Sequence, residues 1–303
     1  MRSLWLKNIK TNEIWDLLPK NPYLTFGGCL YGGIKGFGYA NIIKQNQIEA
    51  DYIPASTQST SVAISGMLYF INDIHVENFQ KFIGDFREQF LLYYSPDGNI
   101  EPHDQLNSTW YKPVIIKTFD KSEKELSGHY EVMMTLTPQS DVWKRDVNIQ
   151  IVGGELANEP LVYPYVYDYM LDDNNLTAIQ FTNEGRKVGC KIQITNNTSD
   201  VIGSDTDGIT WFNDATVGMQ QAKFLLYLRP GESLVVDSNP LSYSAYVLHT
   251  TGVTEEIISL QEPSWDYINF IEIQNGFNKI VFNLDTKAGI DISLTYYEQR
   301  EIV

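Results

Sequence analysis

The chain has 303 residues, with 38 Asp and Glu against 22 Lys and Arg and a formal net charge of -16. This length allows one large domain or two of medium size, each with a sizeable core. Binding to nucleic acid needs clustered Lys and Arg that neutralise phosphates, so the acidic balance excludes specific nucleic-acid binding. No apolar run reaches the length of a signal peptide or the roughly 18 to 20 residues of a membrane span, so we expect a soluble protein without membrane contact.

The first 40 residues predict strands joined by turns. The segments "SLWLKNI" and "IWDL" flank the turn sequence "KTNE", a pattern typical of a β-hairpin. Six glycines then fall between Gly27 and Gly38, too many for a helix and too interspersed with Phe, Tyr and Leu for a flexible linker. We expect a strand that leads into a turn-rich loop, and the spacing of "GGIKGFG" does not match a phosphate-binding loop.

A helix is predicted over about residues 73–91. It follows the strand-like run "SVAISGMLYF", and Asn72 or Asp73 can cap its first turn. Apolar side chains recur there at intervals of three and four and so fall on one helix face: Phe79, Phe82, Ile83, Phe86 and Phe90. A stripe this aromatic must cover an apolar surface, so we expect the helix to pack on a neighbouring sheet.

A boundary between two domains is predicted near residue 150. Strand-like sequence resumes in "HYEVMMTLTPQSDVW" and ends at Pro138. From there to Pro160 the composition shifts toward polar residues with a Gly pair, which is typical of a connection between domains. The first domain then covers residues 1–150 and the second residues 151–303.

The second half shows clear period-2 patterns. In "CKIQIT" and "GIDISLTYY", apolar and polar residues alternate, so each segment predicts a strand with one wet face. The segment "KIVFNL" adds another, and "FLLYLRPGESLVVDS" predicts a hairpin whose turn runs from Arg229 to Ser233. No helical period of comparable length follows residue 150. The natural solution for such strands is an antiparallel β-sandwich, and the chain as a whole is predicted to be mainly β with one α-helix.

Residues that could carry catalysis form no recognisable group. The four histidines, His75, His103, His129 and His249, lie apart along the chain without a metal-binding or catalytic spacing, so we expect them to be solvated or locally bonded. Cys29 and Cys190 are also far apart, which fits neither a disulfide framework nor a metal site and indicates a reducing compartment. We therefore predict no catalytic residue, no metal, no cofactor and no enzyme.

Two acidic runs and four aromatic residues offer weaker alternatives. The runs "DYMLDDNN" and "SDTDGITW" lack the twelve-residue loop with a terminal Glu that calcium needs, so we interpret them as polar turns. A sugar-binding face could use Trp211, Phe212, Tyr243 and Tyr246, although core or interface positions favour them more. A cell-wall hydrolase would need two carboxylates across a cleft, and no pair stands out among the 38 acids. An assembly role fits this profile better.

The order of these features resembles a known family. It is carried by the hairpin "LWLKN...NEIWDL", the glycine-punctuated strand region, "SVAISGMLYF" before the helix "NFQKFIGDF", the strand "HYEVMMTLTPQSDVW" and the last strand "GIDISLTYYEQREIV". Together they span nearly the whole chain. They resemble the distal tail proteins (Dit) of siphophages, particularly the baseplate type of phages that infect lactic-acid bacteria.

The resemblance implies a structural hub in the virion, at the phage tail tip or baseplate. Residues 1–150 would be a β-sandwich with one helix that forms a homohexameric ring, and residues 151–303 a galectin-like β-sandwich. The ring would connect the phage tail tube protein to the tail-associated tip protein, and the outer domains are candidates for holding receptor-binding or other peripheral baseplate proteins. Exposed β edges pair readily with other chains, so the N-terminal hairpin and the Gly27 to Gly38 loop are candidate ring contacts. The acidic charge would suit a ring lumen that DNA must pass without sticking, if the acids line it.

One feature departs from the baseplate type. Its receptor-binding protein can be gripped by an extended arm, and the segments "NEPLVYPYVYDYMLDDNN" and "NNTSDVIGSDTDG" are short for such an arm. A galectin-like fold also does not imply sugar binding, because fold and site are separable. The alternative to a tail hub is a carbohydrate-binding β-sandwich module that adheres to cell-wall saccharide.

Overall fold

Most of the residues that the structure describes lie in antiparallel β-strands. The computed structural model describes residues 3–18, 29–35, 39–48, 51–84, 89–95, 109–121, 130–152, 155–156, 176–215, 218–262, 264, 267–284 and 288–301. Over these ranges it contains one α-helix, and the prediction of a mainly β protein with a single helix is confirmed.

The chain divides into two compact units. The first contains residues 1–145 together with 300–303, and the second contains residues 146–299. The C-terminal end thus returns to the first unit, where the guanidinium of Arg300 lies 4.8 Å from the centre of the Trp110 ring. The guanidinium of Arg145 lies at the same distance from that ring. Trp110 therefore contacts the last residue of the first segment of this unit and the first residue of its second segment. The boundary between residues 145 and 146 falls within a strand, Trp143–Val152. The sequence predicted a polar connection there.

The first unit contains one main sheet and a separate two-stranded ribbon. Its strands are β1 (Ser3–Asn8), β2 (Ile14–Asp16), β3 (Cys29–Lys35), β4 (Tyr39–Ile48), β5 (Asp51–Ser61), β6 (Ile64–Phe70), β7 (Gln89–Ser95), β8 (Trp110–Lys121), β9 (Tyr130–Pro138) and the start of β10 (Trp143–Val152). The main sheet has the order β2-β1-β7-β8-β9-β6-β3, with β10 also pairing β8. Strands β4 and β5 pair with each other.

The N-terminal hairpin is confirmed, and the glycine-rich segment is a strand. Strands β1 and β2 pair from Trp5 opposite Asp16 to Lys7 opposite Ile14. The predicted turn-rich loop is wrong for residues 29–35, which form β3 and pair with β6. The register shifts between Tyr31 and Ile34, so two glycines sit at a β-bulge, where their backbone freedom is useful. The other four glycines of the segment lie outside the described residues.

The helix α1 (Asp73–Ile83) is shorter than predicted. Asn72 caps its start, and its side-chain oxygen accepts a hydrogen bond from the backbone N–H of His75 at 3.1 Å. The helix ends at Gly84, whose φ of 62° is a left-handed conformation that ends helices and favours glycine. The predicted extension to residue 91 is wrong, because Phe90 lies in β7. Phe90 continues the sequence interval of the helical stripe by coincidence. Its side chain nevertheless enters the same core as Phe79 and Phe82.

The aromatic stripe of the helix packs on the sheet, as predicted. The Phe79 ring is fully buried and lies 5.6 Å from Phe70 and 5.5 Å from Phe119, centre to centre, both on strands of the sheet. Trp15 of the N-terminal hairpin approaches the same ring edge-on at 4.9 Å. One side chain of the helix therefore joins three strands that are far apart in sequence.

The second unit is a sandwich of two antiparallel sheets. Its strands are the remainder of β10, β11 (Glu155–Leu156), β12 (Leu176–Asn183), β13 (Val188–Asn196), β14 (Ile202–Ala215), β15 (Gly218–Leu228), β16 (Ser233–Asp237), β17 (Ser244–Leu248), β18 (Thr254–Glu256), β19 (Glu272–Ile273), β20 (Gly276–Asn283) and β21 (Ile290–Arg300), with a short 3₁₀ turn at Ile258–Leu260. One sheet has the order β12-β20-β14-β15 and the other β18-β17-β16-β13-β21. A single core joins them.

The period-2 predictions hold in this unit, and one predicted hairpin does not. Cys190, Ile192 and Ile194 are buried in β13, and β20 and β21 form as expected. The segment predicted as a hairpin is wrong, because β15 and β16 belong to different sheets. Its turn, with Gly231 at a φ of 79°, carries the chain across the sandwich.

The buried helix stripe predicts a large effect of one truncation. We expect Phe79→Ala to lower the free energy of unfolding of the first unit by about 3–5 kcal/mol, because it removes a buried ring and leaves a cavity. Lys81→Ala, on the exposed side of the same helix, should change it by no more than about 0.5 kcal/mol. Urea denaturation followed by circular dichroism measures both, and equal midpoints for the two variants would contradict the packing described.

Candidate assembly surfaces

The described residues contain no evident catalytic or metal centre. Over those ranges, no group of three or more His, Cys, Asp and Glu side chains could hold a metal ion, and no helix is long and apolar enough to cross a membrane. His75 is buried at the start of α1. His103, His129 and the run "DYMLDDNN" lie outside the described residues.

The second acidic run forms a tight bulge in β14. The hydroxyl of Ser204 accepts hydrogen bonds from the backbone N–H groups of Asp207 at 2.7 Å and Thr206 at 3.3 Å. Gly208 has a φ of 63°, and a Cβ there would lie 2.4 Å from the Phe224 carbonyl oxygen. The run is therefore a bulged part of a strand, where the sequence predicted a polar turn. The segment "NNTSDVIGSDTDG" therefore includes the start of a strand, and "NEPLVYPYVYDYMLDDNN" lies outside the described residues.

The four aromatic residues considered for sugar binding do not share a surface. Trp211 is fully buried in the core and stacks on Phe224 with a centre-to-centre distance of 5.5 Å. Phe212 and Tyr246 are half-buried, and Tyr243 alone of the four is exposed. A saccharide site anchored on Trp211 is thus excluded, because a ligand cannot reach that ring.

Two buried titratable side chains serve packing. Burial raises the pKa of the Cys190 thiol to about 12, so it stays protonated and is a poor nucleophile. Burial also lowers the pKa of Lys112 to about 8, against the opposing effect of Asp141. Its ammonium lies 5.1 Å from the centre of the Trp143 ring. Sequence reasoning missed Lys112, although its place between Trp110 and Val114 on the inward face of β8 was a period-2 signal.

A histidine joins two carboxylates in the second unit. His249 Nδ1 lies 2.7 Å from Glu232, and Nε2 lies 3.2 Å from Glu255 on β18. The hydrogen bond to Glu232 raises the pKa of His249 despite partial burial. Burial raises the pKa of Glu232, but the hydrogen bonds from His249 and from the Arg229 backbone outweigh it, so the pKa is lowered. Only the protonated imidazole can donate to both carboxylates, so protonation fastens β18 to the turn before β16.

The acidic charge is concentrated in one unit. The second unit has 21 Asp and Glu against 7 Lys and Arg, a net charge of -14. The first has 17 against 15, a net charge of -2. The charge considered for a ring lumen is therefore carried mainly by the unit that was not expected to form the ring.

The two candidate ring contacts lie at the two ends of the main sheet of the first unit. Strand β2 pairs only β1, and β3 pairs only β6, among the strands that the structure describes. Each therefore presents backbone N–H and C=O groups along one outer edge, which can pair with another chain. The two edges differ in length, since β2 has 3 residues and β3 has 7.

The ribbon of β4 and β5 is a further candidate contact, and sequence reasoning missed it. Its register runs from Tyr39 opposite Ser61 to Ile48 opposite Asp51, with one irregularity after Lys44. Within the described residues it pairs with no other strand, so both of its outer edges are open. An isolated two-stranded hairpin is marginally stable in water, so a ribbon this long calls for a neighbour. Its many Gln, Asn, Ser and Thr residues hid the strand pattern.

Comparison with known proteins identifies a shared fold. No family model and no curated protein sequence matches this chain. A chain of the phage P2 baseplate in its activated conformation with calcium is 12% identical, with 100% of both chains covered and a TM-score of 0.53. The same baseplate with strontium gives 12% identity, 100% coverage of both chains and a TM-score of 0.52.

A second phage protein agrees equally well. The Dit protein of phage SPP1, described as a paradigm of the hub adsorption apparatus in phages that infect Gram-positive bacteria, is 10% identical. The match covers 97% of this chain and 98% of that one, with a TM-score of 0.55. The resemblance drawn from the sequence is thus confirmed at the level of the fold, over both units.

The histidine bridge predicts a pH window of added stability. The pKa of His249 is raised above its ordinary 6.5, so its contribution is fully present below pH 6.5 and is lost as the pH rises through the raised value. The pKa of Glu232 is lowered, so its contribution is present above 4.5 and is lost as the pH falls through the lowered value. We expect the melting temperature of the wild-type chain to exceed that of His249→Gln most between pH 4.5 and 6.5.

Glu256→Gln is the matched control, because it changes an exposed carboxylate of β18 outside the bridge. Its melting curve should follow that of the wild type across the pH range. A difference between wild type and His249→Gln that stays constant from about pH 4 to about pH 9 would refute the bridge.

Proposed function

We propose that this chain is the structural hub of a phage tail tip or baseplate, located in the virion after synthesis in the host cytoplasm. The observation that carries the proposal is the agreement in fold with phage baseplate and hub chains over 97% to 100% of this chain. The aligned part of the chain includes both units, in the same order along the sequence. Fold alone does not fix function, so the surfaces of the described residues supply the further support.

The first unit, predicted as residues 1–150, is the ring-forming part of this proposal. Among the described strands, its main sheet ends at two different edges, β2 and β3. A contact that joins one edge to the other edge of the next copy is head-to-tail, and such contacts close into rings when the rotation fits. The ribbon of β4 and β5 adds open edges to the same unit. Six copies around the tail axis would connect the tail tube protein to the tail-associated tip protein.

The second unit, predicted as residues 151–303, is the galectin-like sandwich of the proposal. It would lie outside the ring and serve as the attachment point for receptor-binding or peripheral baseplate proteins. The role is that of a scaffold without catalysis. The bonds described for His249 and Glu232 support this view, since each holds parts of the fold together. The backbone N–H of Cys190 likewise donates to the hydroxyl of Ser238 at 2.8 Å.

Shortening the ribbon should prevent ring assembly. We propose to replace residues 41–59 by Asn-Gly, which favours the tight turn of a two-residue hairpin between Ala40 and Thr60, a pair in the wild-type register. The wild-type chain should show six times the 34.6 kDa mass of one chain by light scattering over a concentration series. The shortened chain should show a mass below that of six chains, because the open edges of the ribbon are gone and only those of β2 and β3 remain.

Val253→Asp serves as the control, since this exposed residue lies in the second unit and should leave the sixfold mass unchanged. Circular dichroism checks that each variant keeps its strands. A sixfold mass for the shortened chain would reject the ribbon as a ring contact. A wild-type chain that stays single at every concentration, with and without purified tail tube protein, would reject the hub itself.

A further inference from the structure

The loop between β16 and β17 presents apolar side chains to solvent. Leu241 is 94% exposed, and Tyr243 is 55% exposed. Exposed apolar residues are common singly, but here two lie within three residues of one loop. We define residues 238–243 as the anchor loop.

Hydrogen bonds hold the anchor loop in one conformation. The Asp237 carboxylate accepts from the backbone N–H of Asn239 at 2.8 Å and from the hydroxyl of Ser242 at 2.6 Å. The side-chain oxygen of Asn239 accepts from the backbone N–H of Leu241 at 3.1 Å. The backbone N–H of Ser242 donates to the carbonyl of Asn239 at 2.9 Å. A loop fixed in this way loses little conformational entropy when it binds.

The core supports the tyrosine of the anchor loop. The Tyr243 ring stacks on Phe270, with ring centres 3.8 Å apart and an angle of 25° between the planes. Phe270 is itself 7% exposed and belongs to the core of the sandwich. One face of the tyrosine is therefore covered, and its exposed surface lies on the rest of the ring. Tyrosine is one of the residue types enriched among the few that carry most of the binding energy at protein interfaces.

The chemistry of the anchor loop favours a protein over a saccharide. A saccharide site needs polar side chains aimed at ligand hydroxyls, and here Asp237, Asn239 and Ser242 hydrogen-bond within the loop. What the loop offers outward is an aliphatic and an aromatic side chain. The unit that carries it has a net charge of -14, which attracts and orients a basic surface.

We propose that the anchor loop docks another protein, which presents an apolar pocket rimmed by Lys and Arg. Leu241 and Tyr243 enter the pocket, and the acidic unit faces the basic rim. That the docked protein is a tail component rests on the proposed function. The anchor loop then gives the second unit an attachment point that does not require an extended arm.

Binding of full-length variants to purified tail proteins tests the proposal. The probes are the tail tube protein, the tail-associated tip protein and the receptor-binding or peripheral baseplate proteins of the same phage, each immobilised separately for interferometry. We expect one of them to bind the wild-type chain, and Leu241→Asp and Tyr243→Ala to weaken its Kd at least about tenfold. Raising NaCl from about 0.05 M to about 0.5 M should also weaken wild-type binding, because it screens the charge attraction.

Matched controls are Val253→Asp, 61% exposed in the turn before β18, and Tyr227→Ala, 51% exposed on β15. Both should keep the wild-type Kd. The proposal is overturned if no tail protein binds, if the anchor-loop variants bind as tightly as the controls, or if Tyr243→Ala instead abolishes binding to purified cell-wall polysaccharide. Light scattering on the same samples separates the two proposals. If the wild type has a sixfold mass but the anchor-loop variants bind with the wild-type Kd, the docking site is rejected and the hub proposal is kept.

Discussion

A β-strand carries hydrogen-bonding groups along both edges, and the architecture of this chain follows from where those groups find partners. In the second unit, strands pair into two sheets that close on one core. In the first unit, one sheet ends at β2 and β3, and the ribbon of β4 and β5 pairs only with itself among the described strands. Sheets in both units end at strands with one open edge, but the ribbon, with two open edges among the described strands, belongs to the first unit. The acidic charge gathers in the second unit, whose net charge is -14.

Much of the fold could be predicted from local pattern. Alternation in β13 identifies its buried side chains because a strand with one dry face must alternate. Asn72 identifies the helix start because it can satisfy a free backbone N–H. The helix end was missed because Phe90 continues the three-and-four spacing, and that spacing outweighed the stop at Gly84. The crossing at Gly231 was missed because pairing partners are distant in sequence, so a turn between sheets looks like a hairpin.

The candidate surfaces were less predictable, for a related reason. Tyr243 depends on Phe270 for its orientation, and His249 depends on Glu232 and Glu255, and such contacts come from different strands. A single sequence does not report which strands are neighbours. Trp211 is a simpler case, since a core position was favoured over a sugar-binding face and the residue is fully buried. The order of elements along the chain was nevertheless enough to identify the fold, because it is a property of the whole sequence.

The central claim is that the open edges of the ribbon are covered by a neighbouring copy. Hydrogen–deuterium exchange of backbone amides in residues 39–48 and 51–61 tests it most directly, in the assembled species and in chains kept separate by dilution. The account predicts that these amides exchange slowly in the assembled species and quickly in separate chains, while the core strand β13 is protected in both. Equally fast exchange of the ribbon in both states would contradict it.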